Sequence, residues 1–217
     1  MTAFPPNSPA ERRRHKVRSL ILSAAESVFA SDGAEGLSIR RLAEKIDYSP
    51  SAIYKYFGSK DELVFELKEA FFEKILEKID YIVDQNTPYH LRARGCVATY
   101  VGIAVDKPHH YAAAFAGQIS DPGPTEDDPG FVETKKGLAF SVLKKMVQEG
   151  IDDGHLRPEL NASLAAKSIW ASCHGLAMMR IHVPTFPAFS PDKVVMAPED
   201  FTAFHADLVV RGLELDS

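Results

Sequence analysis

The side chains best equipped for chemistry crowd into one short run, Ser38 to Lys60, SIRRLAEKIDYSPSAIYKYFGSK. Ser51, Ala52, Lys55 and Tyr56 fall on the outward side of a short helical segment, where small, hydroxylated and basic groups present donors to an anionic surface. The N–H groups at that segment's start, beside Ser49, add a positive dipole end at which a phosphate oxygen binds cheaply. This is recognition chemistry rather than bond-breaking chemistry. The chain has no G-x-S-x-G, no H-E-x-x-H and no phosphate-binding loop, so an enzyme is not expected.

Two helices must position these groups. Ser38 caps the first, whose apolar residues Ile39, Leu42, Ala43 and Ile46 follow the i, i+3, i+4, i+7 spacing of one buried face. Asp47-Tyr48-Ser49 makes a three-residue turn. Ser49 caps the second helix, with Pro50 at its first position, where a missing N–H costs nothing. Ile53 and Phe57 occupy its buried side. A helix pair of this length is expected to be a helix-turn-helix that lays its second helix in the DNA major groove. Upstream, Ser8-Pro9-Ala10-Glu11 is a capping box that opens a long first helix. Its stripe is Val17, Leu20, Ile21, Ala24, Ala25 and Val28, and it ends near Gly33. Downstream, Ser59-Lys60-Asp61-Glu62 is a second capping box, opening a fourth helix with the stripe Leu63, Leu67, Ala70, Phe71, Ile75, Ile79 and Ile82.

The run LILSAAESVFASDGAEGLSIRRLAEKIDYSPSAIYKYFGSKDELVFEL, with its signature S-x-x-x-I-Y-x-Y-F-x-S-K-x-E-L, resembles the DNA-binding module of the TetR family of bacterial transcription regulators. One departure is Asp47, where that family usually has glycine; Asp tolerates a left-handed backbone better than most residues. The resemblance implies a DNA surface made of Ser38, Arg40, Ser49, Ser51, Ala52, Tyr54, Lys55, Tyr56 and Lys60. In it the Tyr54 and Tyr56 hydroxyls and Lys60 meet phosphates, while Arg40, Ser51, Ala52 and Lys55 face base edges. Tyr54 reads equally well as a core aromatic with a wet tip. Arg12, Arg13 and Arg14 fit either a further phosphate contact or a solubilising arm, and for Arg41 a solvated helix face is expected.

Charge distribution supports a DNA-facing end. The net charge is −5, yet residues 1–60 hold ten Lys/Arg against six Asp/Glu, and residues 61–217 hold fifteen against twenty-four. A basic head on an acidic body is expected when one end meets phosphates. No apolar run approaches the ~20 residues of a membrane helix, and MTAFPPNSPAERRRHK lacks a signal-peptide core. The expectation is a cytoplasmic protein with no membrane partner. Cys96 and Cys173 lack C-x-x-C spacing, and His109 and His110 point about 100° apart on a helix, a poor chelate. Neither a metal nor a cofactor is expected.

The remaining pattern predicts an all-α fold of about nine helices, divided into a head at residues 1–58 and an effector and dimerisation domain at 59–217. Helix 5 is expected over 91–105, helix 6 from Pro108, helix 7 from Phe131 to about Gly150, helix 8 from Ala162 to about His182 and helix 9 over 200–213. Pro-rich loops at 121–130 and 183–198 separate them. QEGIDDGHLRPELNASLAAKSIWASCHGLAMM resembles the carboxy-terminal domain of a TetR subgroup with a Trp-x-x-x-His-Gly motif, here Trp170, His174 and Gly175. That likeness implies a homodimer through helices 8 and 9, with Ser168, Ser172, Gly175, Phe201, Phe204 and Leu208 at the interface. The same small residues also permit packing within one chain. It further implies a ligand cavity among helices 4 to 8, with Tyr100, His110, Tyr111, Phe115, Phe140, Trp170, His174 and Met178 as candidate walls. Such walls suit an apolar or aromatic effector. The expected function is a repressor of a palindromic operator, released by a small molecule. An activator, or an adaptor controlled by a protein partner, is the alternative; a solid effector core would favour it.

Overall fold

The computed structural model describes residues 8–82, 86–115, 130–188 and 196–215. Within them lie nine α-helices: α1 Pro9–Gly36, α2 Ile39–Lys45, α3 Pro50–Tyr54, α4 Lys60–Ile82, α5 Tyr89–Asp106, α6 Pro108–Phe115, α7 Lys135–Asp152, α8 Ala162–His182 and α9 Pro198–Arg211. A single 3₁₀ turn, Phe131–Glu133, precedes α7. No strand occurs among the described residues, only an isolated bridge between Leu156 and Glu214. The fold is all-α.

The chain forms two compact units. The first contains the residues up to Ala70 together with α6 from His109; the second contains Phe71 to Pro108 and α7–α9. The sequence pattern put a boundary at 58. The packing places it after Ala70, because Leu63 and Leu67, 0% and 1% exposed, complete the core of the first unit. That core also takes Ile21, Ala25 and Val28 from α1, Leu42 from α2, and Ile53 with Phe57 from the α3 segment. Ala113 of α6 packs into it, and His110 Nε2 lies 2.8 Å from Glu26 Oε1 of α1. Leu20, assigned to the α1 stripe by spacing, is exposed; it sits about 100° around the helix from fully buried Ile21.

Local chemistry sets the helix ends. The Ser8 hydroxyl accepts from Glu11 N at 3.1 Å, and the Glu11 carboxylate accepts from Ser8 N at 2.9 Å, a reciprocal capping box. Gly33 interrupts α1 with φ 67°, after which one further turn leads to Gly36. Asp47 has φ 58°, so the turn between α2 and α3 does take the left-handed backbone for which glycine is commoner. Helix α7 starts at Lys135, four residues after Phe131. Thr134 accepts from Gly137 N at 2.9 Å and restarts the helix behind the 3₁₀ turn. Pro198 opens α9 two residues before Asp200, again at the first helical position. Most of the loop expected at 121–130, and much of that at 183–198, lies outside the described residues.

In the second unit α5 packs on α8 and α9, and α7 packs on α8. The unit is pinned by a partly buried ion pair between Arg92 of α5 and Glu149 of α7, with Arg92 Nε also donating to Thr87 O at 3.1 Å. Tyr89 donates to Met146 O and stacks on His155 at 4.9 Å. Burial, reinforced by Glu149, raises the Tyr89 hydroxyl to about 12. A side chain at Gly150 would collide with that hydroxyl, so the crossing requires glycine. Arg157 closes the far end, donating to Gly212 O at 2.8 Å and so satisfying a carbonyl at the α9 C-terminus.

Phe57 tests the head. Its ring is fully buried with the Arg18 guanidinium 4.8 Å above it. Phe57→Ala is expected to cost about 3–5 kcal/mol and to lower the first unit's melting temperature by on the order of 10 °C or more. Limited proteolysis should cut residues 8–70 first; unchanged protection there contradicts the packing described.

Candidate nucleic-acid interface and effector cavity

The first site is the outer surface of α2, α3 and the start of α4. Ser38 accepts from Arg41 N at 3.2 Å and Ser49 from Ala52 N at 3.2 Å, so both hydroxyls hold helix starts. Capping uses an acceptor lone pair and leaves the O–H free to donate. Ser49 Oγ also lies 2.9 Å from Ser51 Oγ, which joins the cap to the exposed face of α3. Helix α3 is five residues long; Lys55 caps it, and Tyr56 and Phe57 continue as a turn bonded back to Ile53 O. Ser51, Tyr54 and Lys55 are exposed and Ala52 is half-buried. Tyr54 is 50% exposed, which takes it out of the core, whereas Tyr56 packs partly against the core.

Arg40 is exposed, with Nε 3.2 Å from Glu44 Oε1 four residues on. Exposed pairs of this kind contribute little, so the guanidinium can leave Glu44 for a base edge. Arg41, expected to be merely solvated, instead reaches Asp32 Oδ2 at 2.7 Å and ties α2 to the end of α1. Lys60 is exposed as the first residue of α4. Behind it, Ser59 accepts from Glu62 N at 3.0 Å and Glu62 accepts from Gly58 N at 2.7 Å. A second link holds α4 to α1, Arg18 to Glu66 at 2.7 Å. Spacing gave no signal for these two interhelical ion pairs, because each joins residues distant in the chain.

The second site is a cavity within the second unit, partly open to solvent, with a volume of about 50 Å³ for the centre of a water-sized sphere. Its walls are the later turns of α4 (Phe72, Ile75, Ile79) with faces of α5, α7 and α8. Tyr100, Phe140 and Trp170 from the sequence-derived set line it. Trp170 Nε1 donates to Tyr100 Oη at 3.1 Å, and Phe140 meets Trp170 at 6.0 Å between centroids. His174 and Met178 are not among the lining residues. Eight residues along a helix rotate by about 80°, which carries Met178 from the Trp170 wall to the surface at 40% exposure. Ile169 and Cys173, four apart, share the wall instead. His174 is half-buried, and loss of hydration lowers its imidazole below the usual range. His110, Tyr111 and Phe115 belong to α6 and hence to the first unit, where Tyr111 and Phe115 rings lie 5.0 Å apart. Lys136, Cys96 and Cys173 line the cavity without having been singled out as walls; only the placement of α7 against α8 brings Lys136 there.

A third surface lies on α8 and α9. Phe204 and Leu208 are 48% and 54% exposed, and Leu164, Met178 and Met179 add apolar area. Ser168 and Gly175 are exposed, and Phe201 is half-buried against Phe186 and Phe204. Ser172 Oγ lies 2.7 Å from His205 Nε2. Burial holds the His205 ring below its usual range, opposed in part by Ser172. Among the described residues no group of three or more His, Cys, Asp or Glu is arranged to hold a metal, and no helix is long and apolar enough to cross a membrane.

Comparison with known proteins adds to this geometry. Residues 21–67 match the model for bacterial regulatory proteins of the tetR family, and residues 93–197 match a tetracyclin repressor-like C-terminal domain. The HTH-type transcriptional repressor KstR2 of Mycolicibacterium smegmatis is 27% identical over 168 residues, covering 76% of this chain and 77% of that protein. The HTH-type transcriptional repressor NicS of Pseudomonas putida is 27% identical over 202 residues, 91% of this chain and 92% of its own length. Among solved structures, the ketosteroid transcriptional regulator KstR2 of Mycobacterium tuberculosis superposes with a TM-score of 0.66 at 18% identity over the whole of both chains. A Rhodococcus protein of unknown function gives 0.72 at 21% identity, covering 99% of this chain and 100% of the other. These superpositions speak to the fold.

Two substitutions separate phosphate from base contact. Lys60→Ala is expected to weaken binding about equally on specific and random DNA and to reduce the salt slope by about 1 per site. Arg40→Ala should instead erode sequence preference, on the order of tenfold at one base pair. Binding titrations across salt concentrations check both, and a Lys60→Ala slope identical to the parent's removes Lys60 from the phosphate contacts.

Proposed function

This chain belongs to the tetR family of bacterial regulatory proteins, and from that premise we propose that it is a repressor that binds a palindromic operator as a homodimer and is released by a small apolar or aromatic molecule. As a member of that family it is a DNA-binding transcriptional regulator, as are its curated relatives. The observation that carries the finer reading is the cavity walled by apolar and aromatic side chains of α4, α5, α7 and α8. It favours a small effector over control by a protein partner, for which a solid core would have sufficed.

A single short helix pair buries too little surface to select one site; two related by a twofold axis read both halves of a palindrome. The exposed apolar face of α8 and α9 supports that pairing, since Phe204 and Leu208 are about half exposed among the described residues. Release follows as a population shift. The effector favours a spacing of the two recognition helices that no longer matches the ~34–36 Å between successive major-groove faces. Helix α4 is the covalent route, carrying Lys60 at its first residue and the cavity residues Phe72, Ile75 and Ile79 further along.

Selection of bound sequences from a random DNA pool should enrich an inverted repeat. Salt-sensitive binding with no enriched sequence argues against specific dimeric readout. Leu208→Glu should shift the protein to monomer in sedimentation at micromolar concentration and weaken operator binding by on the order of 100-fold. A Leu208→Glu protein that stays dimeric places the interface elsewhere.

A further inference from the structure

The α3 segment is secured at its start by the Ser49 cap and at its end from α4. Glu62 and Glu66 stand four residues apart on α4 and so share one face of it. The Glu62 carboxylate accepts from the N–H of Gly58, the residue after Phe57, at 2.7 Å. Glu66 works through Arg18 of α1. Arg18 Nη2 lies 2.7 Å from Glu66 Oε1, and Nη1 donates to Glu66 Oε2 at 3.2 Å, a two-pronged pair. The carbon of the same guanidinium stands 4.8 Å from the centre of the Phe57 ring. One side chain of α1 thus touches both α4 and the end of the α3 segment.

The exposure of the pair decides what it can do. The Arg18 and Glu66 side chains are 34% and 32% exposed, and pairs so open to water contribute little to stability. The segment stays folded through its fully buried residues, Ile53 and Phe57. Five residues of helix have little stiffness of their own, so what grips the two ends sets the orientation about those anchors. Hydrogen bonds to base edges need donors and acceptors in register. Attraction to phosphates depends on charge and only weakly on orientation. Loosening the far end of the segment therefore costs sequence preference before it costs affinity. Lysine in place of Arg18 would keep the charge, but an ammonium has neither the fork for Glu66 nor the planar surface for Phe57.

We propose that Arg18 is a positioning residue for operator recognition: paired with Glu66 and seated on Phe57, it sets the orientation of the α3 segment and so determines sequence preference without touching DNA. This rests on the reading of α3 as the helix that meets base edges.

The test uses the full-length protein with two duplexes, the sequence enriched from a random DNA pool and a scrambled duplex of the same length and composition. Arg18→Gln, Arg18→Lys and Glu66→Gln are each expected to lower the preference for the enriched duplex by on the order of tenfold. Affinity for the scrambled duplex should stay within about threefold, and the salt slope should not change. Melting temperatures are expected within about 3 °C of the parent. An unchanged preference in Arg18→Lys or in Glu66→Gln overturns the assignment. A salt slope lower by about 1 in Arg18→Gln makes Arg18 a phosphate contact instead. Equal losses on both duplexes, in step with a lowered melting temperature, make its role structural only, and either of these two results also sinks the proposal. Where Arg18→Gln does not fold, Arg18→Lys and Glu66→Gln decide the question. Preference retained in a Ser51→Ala, Lys55→Ala double variant removes α3 from base contact, and the assignment falls with that reading. Failure of the unaltered protein to enrich any sequence overturns the operator reading and this assignment with it.

Discussion

The structure depends on the burial of one continuous apolar stripe along α4. Backbone hydrogen bonding carries the helix without a break from Lys60 to Ile82, yet its stripe is buried in two different places. Leu63 and Leu67 finish the core of the first unit, while Phe71, Ile75 and Ile79 are buried in the second. Neither unit has a complete core without its share of this helix.

The head reserves its polar chemistry for outside. Its interior is aliphatic and aromatic, and the side chains that could meet DNA are either exposed or already engaged in holding helix starts. Ser38 and Ser49 show the economy of this arrangement, since one hydroxyl oxygen fixes the helix that aims its neighbours and keeps a proton to donate. The ion pairs Arg18–Glu66 and Arg41–Asp32 brace α1 against α4 and α2, fixing the angles at which the short α3 is presented. A five-residue helix has little stability of its own; Ile53 and Phe57, both fully buried, hold it in place.

The second unit makes the opposite arrangement, leaving space in its middle. An apolar cavity lowers stability, and the surrounding contacts offset that cost. The Arg92–Glu149 pair, the Tyr89–His155 stack against Gly150 and the Arg157 contact with the end of α9 lock the helices on the far side of the unit. With the frame fixed there, a space is left between α4, α5, α7 and α8.

Local chemistry alone determined much of this protein. Caps at Ser8, Ser38, Ser49 and Ser59, Pro50 at a first helical position, the left-handed turn at Asp47 and the burial of Ile53 and Phe57 all follow from residue types within a few positions of one another, and the structure has them. Periodicity likewise gives the all-α class and the order of the nine helices. It fails where two solutions share a pattern. Phe131 and Lys135 are equally acceptable helix starts until Thr134 closes on Gly137, and the Trp170, His174, Met178 stripe looks like one wall until the helical drift of about 80° turns Met178 outward. Helix α6 was grouped with the cavity because its aromatics are of the right kind, but the His110–Glu26 pair and burial of Ala113 set it in the head's core. Lys136 is the sharpest case. In sequence it is one of two adjacent lysines; with its ammonium 5.6 Å from the ring centre of Trp170 on α8, it becomes part of the cavity wall. Sequence determines what is settled by neighbours along the chain, because caps, turns and helical faces act over at most a few residues. Only the tertiary structure decides which distant helices share a core and which side chains enclose a space, because those depend on packing that no local rule encodes.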